Sequence, residues 1–328
     1  MKKFLIFLLT TNYSLLTVFP AFAHVSYVIP ESDFSARGGS DAGFLLAGFS
    51  NPFFNLSVLI GAIVFFALVA FFSRQPFWKK EFSLIKKTSK TYGELIPWMI
   101  RLSLGIALIG AGVSSVLISP AVSASSFISY IEIVVGFCIL AGFMLSLAGV
   151  VAFALFFLAL VYSPTVIGNL DFAALAFAFL TYGVVRPGID DLFNIPHLHS
   201  LCHLKEWVPF MLRLSVGGSM MFLALYEKFL NPHASAFVVE LFNLQAALPF
   251  PLEMWVAWVG VIEFMLGLFL VIGFHVRLFS TIAFLLIMVS FFVFREAVYA
   301  HITLFGAFSI LFVTGAGKKL ALDNIVVR

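Results

Sequence analysis

The sequence predicts an all-α, polytopic membrane protein, and three observations carry that prediction. Hydrophobic residues make up 62% of the 328-residue chain and charged residues 11%, about half the charge of a soluble domain of this size. Apolar runs of bilayer-spanning length recur along the chain. The Lys and Arg residues collect in alternate loops, as the positive-inside rule requires. The formal net charge is only +3 and no basic face is built, which argues against nucleic acid as a partner and leaves the lipid bilayer as the main one. Cys138 and Cys202 fall in dissimilar segments, so a disulfide framework is not expected.

Residues 1–23 read as a signal peptide: Lys2 and Lys3, an apolar stretch, then the small-x-small site Ala21-Phe22-Ala23. An uncleaved first helix is the other reading. Cleavage leaves His24 as the mature N-terminus, where an amine and an imidazole together can chelate copper. Residues 24–50 form a polar, glycine-containing segment on the outer side. Nine apolar runs follow, at 52–73, 96–118, 126–143, 146–163, 169–185, 208–230, 254–274, 278–294 and 298–316. With the N-terminus outside, the inner loops hold Arg74, Lys79, Lys80, Lys86, Lys87, Lys90, Arg186, Lys205, Arg277, Lys318 and Lys319. The outer loops hold little beyond Lys228 and Arg295. Trp78, Trp98 and Trp207 sit at inner boundaries and Trp255 and Trp258 at an outer one, positions suited to an interfacial belt.

The chain repeats itself. RLSLGIALIGAGVSSVLISP from Arg101 aligns without gaps on RLSVGGSMMFLALYEKFLNP from Arg213. IEIVVGFCILAGFMLSLAGVVAF from Ile131 aligns on IEFMLGLFLVIGFHVRLFSTIAF from Ile262 with eight identities, Glu132 with Glu263 among them. The offset grows from 112 to 131, so the second copy has gained 19 residues near LFNLQAALPFP. GVVRPGIDDLF and GAGKKLALDNI close the two copies. One leading helix with its basic loop (51–95) thus precedes two four-helix units, 96–193 and 208–328, joined by a linker at 194–207. An even number of helices per unit makes the repeats parallel.

An Arg opening an apolar helix, Lys-Phe-x-x-Pro at its outer end, a Glu followed by paired glycines and an Arg (IEFMLGLFLVIGFHVR), and a closing GAGKKLALD resemble the DoxX/DoxD family of four-helix membrane proteins. The resemblance covers 213–323 well and 101–190 more loosely, since the first copy lacks the Lys-Phe element. It implies a four-helix fold and, as for some family members, a membrane subunit of a quinone-linked oxidoreductase.

Ionisable residues inside membrane helices are costly, about 2.5–3.5 kcal/mol each on insertion scales, and so call for a partner or a purpose. Because both copies carry them, Arg101 with Glu132 and Arg213 with Glu263 are expected to form structural ion pairs. Polar residues confined to the second copy define the candidate ligand site: Tyr226, Glu227, Lys228, Arg295 and His301, with Glu263, near the outer boundary. Such groups can hydrogen-bond quinone carbonyls and exchange protons, although snorkelling at the lipid boundary also accounts for them. The linker HLHSLCH places His197, His199, Cys202 and His203 within seven residues, donors suited to zinc, copper or nickel but in no standard spacing. No catalytic set of nucleophile, base and orienting group is evident.

The function expected is therefore a membrane component of a quinone-linked redox complex in a bacterial inner membrane, docking a partner dehydrogenase or presenting quinone, with no resident cofactor assigned. A transporter or metal-handling permease, and a scaffold without ligand, are the alternatives.

Overall fold

Each of the nine apolar runs forms a helix. The structure, a computed structural model, describes residues 25–29, 31–74, 91–182, 188–195 and 201–323. The expected signal peptide, most of the first basic loop with Trp78, and His197 and His199 lie outside the described residues. Short helices α1 (Val25–Val28), α2 (Glu31–Arg37) and α3 (Ala42–Ser50) lead into α4 (Pro52–Arg74). The first copy contains α5 (Ile96–Val113), α6 (Ser126–Ala141), α7 (Leu145–Tyr162), α8 (Leu170–Tyr182) and a short α9 (Ile189–Phe193). The second contains α10 (Val208–Leu223), α11 (Pro232–Leu241), α12 (Leu252–Ile272), α13 (Val276–Phe294) and α14 (Val298–Thr314). Among the described residues the only β feature is a bridge between Val116 and Ser123, so the chain is all-α.

Six helical stretches are long and apolar enough to cross a bilayer: Gly93–Val113, Leu145–Tyr162, Pro164–Tyr182, Cys202–Phe229, Leu252–Ile272 and Val276–Phe294. The pair Ala42–Ser50 and Pro52–Ala67, bent by 63°, makes a seventh if it is one span. Helices α6 and α14, of 16 and 17 residues, reach only about 24–26 Å at 1.5 Å per residue, short of a core of roughly 30 Å. Their expected runs are cut short by Gly142 (φ +74°) and Gly315 (φ +67°), left-handed positions that end a helix. The protein is thus a multi-pass membrane protein with at least six spanning helices by length and composition, rather than an established nine.

The chain divides into two compact units. The smaller comprises 1–68, 223–263 and 285–296; the larger comprises 69–222, 264–284 and 297–328. In the larger unit, glycines let helices of one copy touch. Gly217 and Gly267 face each other so closely that a Cβ on either would lie 2.5 Å from the other's carbonyl oxygen. The first helix of each copy also meets the other copy, at α14 for α5 and at the start of α8 for α10. Gly306 of α14 packs on the Ser103 side chain of α5. Ser219 of α10 accepts the Leu170 N–H at 3.1 Å and donates to the Ile167 carbonyl at 3.3 Å.

The repeated arginines have a shared structural task, and it is not the one expected. Arg101 donates to the carbonyls of Ile139 (2.7 Å) and Leu140 at the C-terminal end of α6. Arg213 donates to Leu270 (3.4 Å) and Val271 (3.1 Å) at the C-terminal end of α12, and to Lys319 and Leu320. Each guanidinium thereby binds carbonyls of the last helical turn and faces the negative end of the helix dipole. Gly142 and Gly273, at φ +74° and +72°, turn the chain just beyond each cap. An aspartate completes the device. Asp190 accepts the N–H groups of Met144 (2.7 Å) and Leu145 (2.9 Å), and Asp323 those of His275 (2.7 Å) and Val276 (3.3 Å). Each aspartate's own N–H binds the turn glycine's carbonyl, Gly142 at 2.9 Å and Gly273 at 3.0 Å.

Among the described residues the guanidiniums are thus engaged by carbonyls, and no ion pair joins Arg101 to Glu132 as expected; within the smaller unit the cation beside Glu263 is Lys228 instead of Arg213. Glu132 and Glu263 stand about two turns before the capped carbonyls, roughly 10 Å along the helix at 1.5 Å per residue. Trp255 is 2% exposed and packs with Val239 and Val259, covered by α11.

Candidate functional site

Where Arg213 is absent, another cation pairs with Glu263. In the smaller unit Lys228 Nζ lies 2.8 Å from Glu227 Oε2 and 3.3 Å from Glu263 Oε2. The exposures of Glu227, Lys228 and Glu263 are 1%, 3% and 7%. An interaction so far from water is much less screened than a surface pair, but each charge also carries a heavy desolvation penalty.

A local irregularity brings the two neighbours in sequence to one place. Residues Ala224–Phe229 form a turn of π-helix, with the Leu230 N–H reaching back five residues to Leu225 O at 2.8 Å. The widened turn leaves backbone carbonyls without their usual partners. Asn231 Nδ2 donates to Tyr226 O and Ser235 Oγ donates to Glu227 O, both at 2.8 Å. Asn231 is the N-cap residue of α11 and Ser235 stands in its first turn, so the start of α11 holds the turn that presents Glu227 and Lys228. Gly260 of α12 makes room: a Cβ there would lie 2.7 Å from the Phe229 ring and 3.0 Å from Lys228 Cβ.

The N-terminal segment supplies a further donor. The Val25 N–H donates to Glu227 Oε2 at 3.1 Å. A cavity of about 30 Å³ adjoins Lys228, lined also by Val25, Ser235, Trp255, Val259 and Phe294. That volume suits two or three waters, at about 10–15 Å³ each, and not a ring.

The other expected site residues are distributed differently. Tyr226 stacks on Phe34 at 5.9 Å, facing the N-terminal segment. Arg295 is exposed. His301 is 2% exposed and belongs to the larger unit, where Tyr299 lines a separate cavity of about 10 Å³ with Asn169 and Thr303. Cys202 and His203 are both exposed, in a 3-10 turn over Cys202–Trp207. Among the described residues no three His, Cys, Asp or Glu side chains are grouped to hold a metal.

The first copy has no lysine at the corresponding place, where Val116 stands. Glu132 is fully buried, and its Oε1 accepts the Ile118 N–H at 3.0 Å. Its Oε2 has no hydrogen-bond partner among the described residues. The two copies thus hold one repeated glutamate in two ways: by a loop amide in the first and by a lysine in the second. Residue comparison between the copies was enough to single out Glu227 and Lys228, whereas the π-turn and the Val25 contact carried no sequence signal. No protein-family model, no curated protein and no solved structure matches this chain.

Proposed function

We propose that the protein is the membrane component of a quinone-linked redox assembly, in which Glu227, Lys228 and Glu263 form a proton-exchanging centre. The observation that carries this reading is the assembly of two buried carboxyls around one buried lysine, in the copy that departs from the common frame, beside a water-sized cavity. The DoxX/DoxD resemblance supports the quinone link.

Quinone reduction takes up two protons with two electrons. Electrons come from a partner dehydrogenase. Glu227 Oε2 accepts from both Lys228 Nζ and the Val25 N–H. Glu263, at the longer distance from Lys228, is the carboxyl assigned to bind and release the proton. Quinone meets the protein at the lipid boundary, with water in the cavity as the connection to Lys228. The bacterial inner membrane, nine crossings and an outer N-terminus belong to the same reading, supported by the alternation of basic loops.

The test is quinone-dependent electron flow in native membranes carrying Lys228→Met with Glu263→Gln. A large loss is expected, together with co-purification of a dehydrogenase or stoichiometric quinone with the wild-type chain; unchanged flow rejects the assignment. A small-cation permease is the second reading, favoured by a cavity that takes water and no ring. Ion flux through proteoliposomes containing the purified chain alone separates the two.

A further inference from the structure

In the larger unit, the first copy buries a carboxyl with no cation beside it. Glu132 of α6 is 0% exposed. Its Oε1 accepts the Ile118 N–H at 3.0 Å, while its Oε2 meets no donor among the described residues. Ser129, one turn earlier on α6, is also buried, and its Oγ likewise has no partner, so that hydroxyl does not donate to the carboxyl. Helices α5 and α7 pack on α6. The charged residue of α5 is Arg101, which binds the Ile139 and Leu140 carbonyls at the far end of α6. Helix α7 and residues 114–125 contain no Asp, Glu, Lys, Arg or His. Tyr130 of α6 and Tyr162 of α7 are exposed. Asp171 and His301, which are also buried, stand on α8 and α14, and those helices pack on α5. An unpaired carboxylate in such a place carries a heavy desolvation penalty, which a carboxyl escapes by keeping its proton.

What this carboxyl holds is a strained loop. Between α5 and α6, residues 114–125 fold back on themselves: the Leu117 N–H donates to the Val122 carbonyl at 2.8 Å and the Ala124 N–H to the Ser115 carbonyl at 2.9 Å. Leu117, Ile118, Ser119 and Val122 are buried. Ile118 stands at φ +60°, a left-handed backbone that a β-branched residue adopts only where its surroundings impose it. The bond from its N–H to Glu132 ties that residue to α6. Ile118 also lines the cavity of about 10 Å³ that holds Asn169, Tyr299 and Thr303 in its wall, room for about one water. We propose that Glu132 is a proton-binding site that latches this loop: the neutral acid keeps the loop closed, and loss of the proton releases it.

The exchange involves one proton and water. With the loop closed, Oε1 accepts the Ile118 N–H and Oε2 carries the proton. Release of that proton to water leaves an anion with a single amide donor, and its further donors come from water that enters as the loop lifts. Uptake of a proton from water reverses the step, and no bond other than O–H forms or breaks. The second copy instead sets a fixed ammonium, Lys228, beside the equivalent Glu263. This inference stands apart from the quinone reading, and its test reads no electron flow.

The full-length chain, purified in detergent, supplies the measurements. The infrared difference between wild type and Glu132→Gln near neutral pH is expected to contain a carboxylic-acid C=O band that moves in D2O. Glu132→Gln is expected to fold and to melt no lower than the wild type, because the amide reproduces the shape and charge of the neutral acid. For the latch, Ser119→Cys in a Cys138→Ser, Cys202→Ser background places a thiol in the loop. Its rate of labelling by a thiol reagent, divided by the rate in the same chain carrying Glu132→Gln, is free of the reagent's own pH dependence. That ratio is expected to rise with pH, by up to about tenfold per pH unit, the slope that one proton released on opening gives. If Ser119→Cys does not fold, hydrogen exchange of the loop amides supplies the same ratio. A difference spectrum without the acid band, a Glu132→Gln chain that misfolds or melts well below the wild type, or a ratio that is flat across pH overturns the proposal.

Discussion

Replacing Lys228 by Met removes one ammonium and leaves Glu227 and Glu263 buried beside an apolar side chain. Breaking a buried ion pair on one side costs about 3–5 kcal/mol, so Lys228→Met is expected to lower the melting midpoint steeply in detergent. Adding Glu263→Gln is expected to recover part of the loss, because the groups act as one network and their effects do not add. Equal midpoints for the single and double variants would show that the two residues are not coupled. Asp41 behaves differently because it is on the surface. The Phe44 N–H, which it caps at the start of α3, and then His233, at 2.9 Å, hold its carboxyl below the ordinary range. A lowered folded pKa gives stability that is fully present above the unfolded value of about 3.9 and is lost as pH falls through the folded value. Hydrogen exchange in α3 is therefore expected to accelerate on acidification in the wild type. In Asp41→Asn the acid dependence assigned to this group should vanish; an unchanged profile would assign it elsewhere.

Helix ends, more than helix faces, show the kinship of the two copies. Arg101, Gly142 and Asp190 perform in the first copy what Arg213, Gly273 and Asp323 perform in the second. Gly142→Ala forces a side chain into a left-handed turn, about 1–2 kcal/mol. It also places a Cβ 2.7 Å from both the Arg101 guanidinium and Gly188. The expected result is a destabilised chain in which protease first cuts near the α6–α7 turn; cleavage elsewhere would reject this account. The repeated Arg and Asp were legible in the sequence as repetition. Their partners were not, because a backbone carbonyl has no identity in a sequence and every helix end offers one. The π-turn was hidden for a related reason. Asn231 and Ser235, at the start of α11, bind carbonyls several residues earlier in the chain.

At the scale of the molecule, the topology proposed from the basic loops puts His233 outside and Cys202 inside. A membrane-impermeant thiol reagent on intact cells is expected to label a cysteine placed at His233, in a Cys202→Ser background, and to leave native Cys202 unmodified until the membrane is opened. Labelling of both from one side would reduce the number of crossings between them. Composition, apolar run length and loop charge were sufficient for an all-α membrane chain with helices at all nine expected runs, since those properties are set by transfer between water and lipid and are local to each segment. Comparison of the copies pointed to Tyr226, Glu227, Lys228, Arg295 and His301, of which Glu227 and Lys228 stand together with Glu263. Which charge meets which was settled by depth and by turns: Arg213 reaches the end of α12, Glu263 stands two turns earlier, and a π-turn brings Lys228 to it. Pairing of charges depends on positions in three dimensions to within a few ångströms, and residues such as Val25 and Glu227, 202 apart in the chain, acquire that proximity only when the helices pack.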